Sequence, residues 1–307
     1  MESASVTSSW GNMFPLTAVL LALTSALTLG ASAVIEQQGT KLVTRRKALS
    51  PQLFVDLFHQ PLWLAGIATN VAGFALQVAA LRFGELALVE PLLVCDLIFA
   101  VLISAALRHS WDPVMIGGVV ACAAGVAGFL AIARPSGGST AVSFSAVLPL
   151  AIVLAAVLAA CLALARAHPN ARALALALAC GIFYGVAAFL VKLVTAEVGS
   201  GLTGLLGSWP IYALAIVGPV GFLLNQNAFQ QGILIAPVLA VITVCDPIVS
   251  IGLARIFLDE KLATSPAGIA GEIMSLVVMT VGIVVIAHHA PIAVRQQAGA
   301  GRVTASA

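Results

Sequence analysis

The sequence predicts an all-α polytopic membrane protein, with about nine transmembrane helices in two inverted four-helix repeats joined by a connector helix. Three observations carry this. First, 61% of the 307 residues are hydrophobic and only 8% charged, with a mean hydropathy of +1.10. A soluble domain carries about 25% charged residues, so this chain cannot cover a water-facing surface and its solvent is lipid. Second, nine stretches approach the ~20 apolar residues that a spanning helix needs. Third, the chain repeats itself. Lys41-Leu-Val-Thr44 returns as Lys192-Leu-Val-Thr195, Cys95-Asp96 returns as Cys245-Asp246, and Gly84 returns as Gly232.

The nine stretches run over 14–37, 61–82, 86–107, 112–133, 143–166, 172–195, 204–230, 233–257 and 264–288. Turn-forming sequences separate them: Ser50-Pro51, Asp112-Pro113, Arg134-Pro-Ser-Gly-Gly138, His168-Pro-Asn170 and Ser265-Pro266. Near Gly84 and Gly232 the spans meet in hairpins with almost no loop. The first stretch is followed by Glu36 and a basic segment, so it reads as a retained helix and not a cleaved signal. Arg295 to Ala307 reads as a frayed polar tail.

Lys and Arg in the short loops set the orientation. With the N-terminus outside, nine of the fourteen fall on the cytoplasmic side (Lys41, Arg45, Arg46, Lys47, Arg108, Arg166, Arg172, Arg295, Arg302). Five fall outside (Arg82, Arg134, Lys192, Arg255, Lys261). The expected location is the inner (plasma) membrane, with the C-terminus cytoplasmic. The organisation is 1–139 for the N-terminal tail and first repeat, 140–168 for the connector, 169–292 for the second repeat and 293–307 for the tail. Spans 1–4 match spans 6–9. An offset of five crossings makes the second unit enter from the opposite side, so the repeat is inverted about an axis in the membrane plane, an arrangement suited to alternating access.

Asp96 and Asp246 fall halfway along spans 3 and 8. An aspartate at the bilayer centre costs about 2.5–3.5 kcal/mol by insertion scales. A pair at equivalent repeat positions points to a central site for a cation, a proton or a polar substrate. The competing reading is that each accepts hydrogen bonds and locks the bundle. Thr243 and Ser250 share the helix face of Asp246. Pro247 frees a carbonyl near Thr243, and Glu90-Pro91 repeats that chemistry in span 3; a packing kink is the plainer account of both prolines. Asn70 and Gln77 share one face of span 2, and Asn225, Gln226, Asn227, Gln230 and Gln231 crowd the end of span 7. Amides suit a polar substrate or a wet vestibule, or else hydrogen-bond between helices at about 0.6 kcal/mol each. Lys192 either snorkels to the interface or pairs with a carboxylate in the membrane. Glu36 and Glu272, nearer helix ends, read as solvated or functional.

Other features carry less. The five cysteines, Cys95, Cys122, Cys161, Cys180 and Cys245, read as packing residues, since no CxxC or metal spacing occurs. Gly199-Ser-Gly-Leu-Thr-Gly204 matches a dinucleotide fingerprint but lies between two spans with no strand before it. Gly181-xxx-Gly185 reads as a close helix contact within the bundle. No basic stripe speaks for nucleic acid, and no HExxH, GxSxG or Walker motif speaks for an enzyme or ATPase. No cofactor is expected.

Phe83-Gly-Glu-Leu-Ala-Leu-Val-Glu-Pro-Leu92, and span 8 with its tail Phe257-Leu-Asp-Glu-Lys-Leu262, resemble the drug/metabolite transporter superfamily. The tail is similar to the "GE-x-L" close of EamA-type repeats. A glycine eleven residues before a helix-ending Lys (Gly30 to Lys41, Gly181 to Lys192) is similar to the first helix of such units. The four-plus-one-plus-four count is closer to the NIPA-like magnesium transporters than to ten-helix EamA exporters. The resemblance implies a two-repeat bundle and secondary transport. The first unit departs from it, with Arg108-His-Ser-Trp111 where the second has Asp259-Glu-Lys-Leu262.

The leading expectation is a gradient-driven transporter of a small polar metabolite or drug, working by alternating access in a lipid bilayer, with homodimerisation left open. A divalent-cation (magnesium) transporter is the alternative: Asp96, Asp246, Glu90 and the amides offer the oxygens that Mg²⁺ takes. A non-transporting scaffold or accessory subunit would instead bury both aspartates in dry, fully paired contacts.

Overall fold

The computed structural model describes residues 3–42, 59–109, 111–168, 171–198, 201–231, 235–263 and 265–289. The elements are α1 (Ser3–Leu42), α2 (Pro61–Phe83), α3 (Leu86–Leu93), α4 (Cys95–Arg108), α5 (Pro113–Ala133), α6 (Phe144–Ala167), α7 (Arg172–Glu197), α8 (Gly201–Gly207), α9 (Trp209–Gln231), α10 (Ile235–Phe257) and α11 (Pro266–His289). Among the described residues there is no strand, only an isolated bridge between Ser136 and Lys261. Eight spans, taking α3 and α4 together, are long and apolar enough to cross a membrane, and α9 adds a shorter apolar stretch, Trp209–Asn225. The protein is therefore an all-α polytopic membrane protein of about nine crossings.

Span 3, expected as one helix, is two. Pro91 has no N–H to give the carbonyl of Ala87. The helix ends at Leu93, Val94 separates the halves, and α4 begins with Cys95. Span 7 also differs at its start. Residues 201–207 form the separate short helix α8, and α9 begins at Trp209. By contrast α10 runs unbroken through Pro247.

The two units pack alike. α1 lies against α2, α3 and α4; α7 lies against α9 and α10; α3 meets α10 between them. α7 is central, with 72% of its apolar window buried, whereas α6 is peripheral with 11%, as befits a connector. The seam between units is α5 against α11. Going up α5, Gly118, Cys122, Gly125 and Gly128 approach Ile286, Gly282, Met279 and Ser275 in turn, so the helices run antiparallel. These are equivalent helices of the two units, and their opposite directions show the inversion.

Three matched contacts fix the register. Ser25 Oγ donates to Gly73 O at 2.8 Å, and Cys180 Sγ to Gly221 O at 3.5 Å. A Cβ on Gly73 would strike Leu29, and one on Gly221 would strike Tyr184. A Cβ on Gly30 would strike Asp96 O, and one on Gly185 would strike Asp246 O. Ser25 thus matches Cys180 and Gly30 matches Gly185, each 155 residues apart. The Lys-Leu-Val-Thr pair, 151 apart, is one helical turn off this register. Pairing Lys41 with Lys192, and Gly30 with Gly181, is corrected accordingly.

Loops tie the bundle at both faces. On the Gly84 face, Ser136 and Lys261 exchange backbone bonds of 3.3 and 3.0 Å, and Ser139 N–H donates to Leu258 O at 2.6 Å. On the other face, Asp112 caps α5 by accepting from Val114 N–H at 2.9 Å, with Pro113 at the tolerated first position. His289 Nδ1 lies 3.1 Å from the other oxygen of Asp112.

Candidate functional site

The break at Val94 places Asp96 in the first turn of α4. There the unpaired N–H groups of a helix start and its dipole favour an anion. The backbone N–H of Leu97 lies beside the Asp96 carboxylate. Discontinuous helices at mid-membrane serve this purpose in many transporters. Glu90, one turn before the break, is 4% exposed. The Gln77 side chain of α2 lies beside it, and its Oε1 has no partner. Asp246 stands in mid-α10 with Oδ1 occluded and also unpartnered.

Glu90, Asp96 and Asp246 lie within electrostatic reach of one another. None of them forms an ion pair with a basic residue among the described residues. The register repeats in the amides: Gln77 matches Asn225, 148 residues on, just as Gly73 matches Gly221. Gln77 stands beside Glu90, while Asn225 stands beside the hydroxyl of Tyr184, which lies within electrostatic reach of Asp246. Sequence reasoning passed over Tyr184. The available signal was a phenol inside a span, between the two close-contact glycines 181 and 185.

The remaining expected site residues sit elsewhere or face away. Asn70 is exposed, and its Nδ2 reaches Ser32 Oγ at 3.4 Å, joining α2 to α1. Ser250 Oγ turns back to Pro247 O at 3.1 Å. Thr243 is half-buried one turn before Asp246. Asn227 is exposed and bonds its own helix at Leu223 O. The side chains of Gln226, Gln230, Gln231 and Glu36 lie outside the described residues, as do Gly232 and Arg295 to Ala307. Lys192 stands at the Gly84 hairpin, with Nζ 2.6 Å from Leu81 O and 2.5 Å from Gly84 O. Glu272 Oε1 accepts from Ala263 N–H at 2.8 Å and fixes the turn before α11. The five cysteines are free thiols, four of them buried. Gly181 and Gly185 pack α7 onto α10, against Cys245 and Asp246 O.

Three carboxyls with two idle oxygens and no counter-charge can bind a cation, a proton, or a donor-rich solute. Among the described residues no three acidic, His or Cys groups converge to cage a bare metal ion.

The model of one family, "Magnesium transporter NIPA", matches residues 14–204. The chain belongs to the NIPA magnesium transporter family. The match takes in the first unit, the connector and α7, and so includes Glu90 and Asp96; Asp246 lies beyond it. An uncharacterized protein of Corynebacterium glutamicum is 28% identical over 251 residues, covering 80% of this chain and 86% of that protein. No solved structure matches. Membership makes this NIPA-family chain a membrane transporter.

Proposed function

We propose that the protein moves Mg²⁺ across the membrane by alternating access, with the hydrated ion held among Asp96, Asp246 and Glu90. The observation that carries this is the pair of unpartnered buried oxygens, Glu90 Oε1 and Asp246 Oδ1, in an all-acid cluster. A divalent cation supplies the missing charge. Its bound waters supply the missing donors, since Mg²⁺ dehydrates reluctantly and takes one or two carboxylates. This reading moves the metabolite-transport expectation to second place, because the family and the acidic cluster both favour a cation. A scaffold would pair its buried carboxylates fully, and these are not fully paired. In the proposed orientation the N-terminus is outside and the Gly84 hairpin lies on the outer face.

The test is Mg²⁺ uptake into proteoliposomes, with and without a pH gradient, beside a panel of organic cations and polar metabolites. Asp246→Asn keeps shape but neither balances a bound cation nor releases a proton. It is expected to cut the rate per folded protein at least tenfold, with Asp96→Asn measured beside it. Wild-type uptake by Asp246→Asn across pH refutes the central-carboxylate mechanism.

A further inference from the structure

The acidic tail after α10 has no part in the site just described, yet Glu260 is 1% exposed. Its carboxylate reaches into the other unit. Oε1 accepts from Leu86 N–H at 2.7 Å, and Oε2 from Ala87 N–H at 2.8 Å. Those are the first two residues of α3, whose own N-cap residue, Glu85, makes no side-chain cap. The first N–H groups of a helix have no partner within it, so Glu260 supplies the cap in trans. Burial pushes its carboxyl above the usual range, and the N–H groups of Ala87 and Leu86, with Lys192, pull it back.

Lys192 completes the arrangement by donating to the last carbonyls of α2, at Leu81 and Gly84. One cation and one anion from the second unit thus grip both sides of the Gly84 turn. Glu260 is itself fixed. Its N–H donates to Ala254 O at 3.2 Å, its carbonyl accepts from Arg255 Nη1 at 3.3 Å, and the next residue forms the bridge to Ser136. A cavity of about 160 Å³ lies beside the grip, lined in part by Arg82, Glu85, Lys192 and Glu260.

The gripped element is short. α3 has eight residues, is severed from α4 at Val94, and carries Glu90 one turn below Leu86. A half-helix of two turns has little stability of its own, so its placement depends on what anchors its ends. We propose that Glu260 is a positioning residue for transport: by capping α3 across the unit boundary it sets where Glu90 stands relative to Asp96 and Asp246. Any motion that parts the two units on this face must withdraw Glu260 from α3 and so alter the central site. The first unit has Arg108-His-Ser-Trp111 where this tail would fall, so that stretch of sequence offers no acidic counterpart.

The inference rests on Glu90 lining the transport site, so its test includes an arm that does not depend on Mg²⁺. Dicyclohexylcarbodiimide modifies carboxyls in apolar surroundings, and mass spectrometry reads its adduct on Glu90. In the full-length protein, Glu260→Gln is expected to change the rate of Glu90 modification at least threefold. In proteoliposomes the same variant is expected to raise the KM for Mg²⁺ about tenfold per folded protein, and the rise should vanish when Glu90→Gln is already present, the signature of residues acting through one another. If Glu260→Gln does not fold, Glu260→Asp keeps the charge, is one methylene short of spanning both N–H groups, and should show the same changes in smaller degree. An unchanged modification rate overturns the proposal whatever transport does, as does a KM effect equal in both Glu90 backgrounds. A wild type that modifies as expected but carries no Mg²⁺ refutes the magnesium reading and leaves the positioning role standing.

Discussion

Gly185 offers a quantitative test of how closely the helices meet behind the carboxylates. A Cβ there would sit 2.7 Å from Asp246 O and 2.7 Å from Val249 Cβ, where ordinary contact begins at 3.4 Å. A backbone oxygen cannot rotate aside, so Gly185→Ala must push α7 and α10 apart. Overpacking of this kind costs about 1–3 kcal/mol. It is offset by the ~0.8–1 kcal/mol that alanine gains over glycine in a helix interior. Gly252, in α10, has nothing within 4 Å of its would-be Cβ, so Gly252→Ala collects the gain alone. The two variants should therefore differ by the overpacking term, about 5- to 150-fold in the unfolding equilibrium. Equilibrium unfolding in mixed micelles measures this, with transport rate per folded protein beside it. Equal stability of the two variants would refute the close approach, and with it the account of why glycine stands behind Asp246.

Asp112 should govern acid stability at the opposite face. The N–H of Val114 first, and His289 second, hold its carboxyl below the ordinary 3.8. A depressed carboxylate contributes stability that is present above 3.8 and is lost as pH falls through its folded value. Asp112→Ala should therefore lower the melting temperature at pH 7 and make no difference at the acid end of that window; an equal loss at both pH values would exclude the carboxylate as the cause. For orientation, single cysteines at Ser5 and Ser306 should label from opposite sides of intact cells, Ser5 from outside. Labelling of both from one side would mean an even number of crossings.

What the sequence made legible follows from where lipid imposes order. Span positions, the two central aspartates and the inversion were readable, because hydrophobic length, intramembrane charge and the Cys-Asp repeat are each written in a few residues. The break at Val94 was not, because proline at 91 and at 247 looks alike in sequence, yet α10 stays whole while span 3 divides. The Lys-Leu-Val-Thr repeat misled by one turn. Its residues are apolar apart from the ends, and helix contacts such as Gly30 with Asp96 O, not letter identity, fix the register. The partners of Lys192, which the sequence did single out, and the role of Glu260 escaped for another reason. The partners of both are main-chain atoms 108–111 and 173–174 residues away, and backbone groups leave no trace in a sequence.

The antiparallel seam of α5 and α11 bears on why two units share one chain. Gly125 on α5 receives Met279 of α11, and Gly282 of α11 receives Cys122 of α5. Were the units separate identical subunits, the two knobs would have to be the same residue, whereas here one is Met and the other Cys. Fusion frees them to diverge, and divergence has reached the proposed transport site. The first unit holds Glu90 where the second has Ala240, and the second holds Tyr184 where the first has Leu29. On the proposed mechanism a cation entering from one face would meet a different order of acid and phenol than one entering from the other, so the two directions of transport need not share the same barrier.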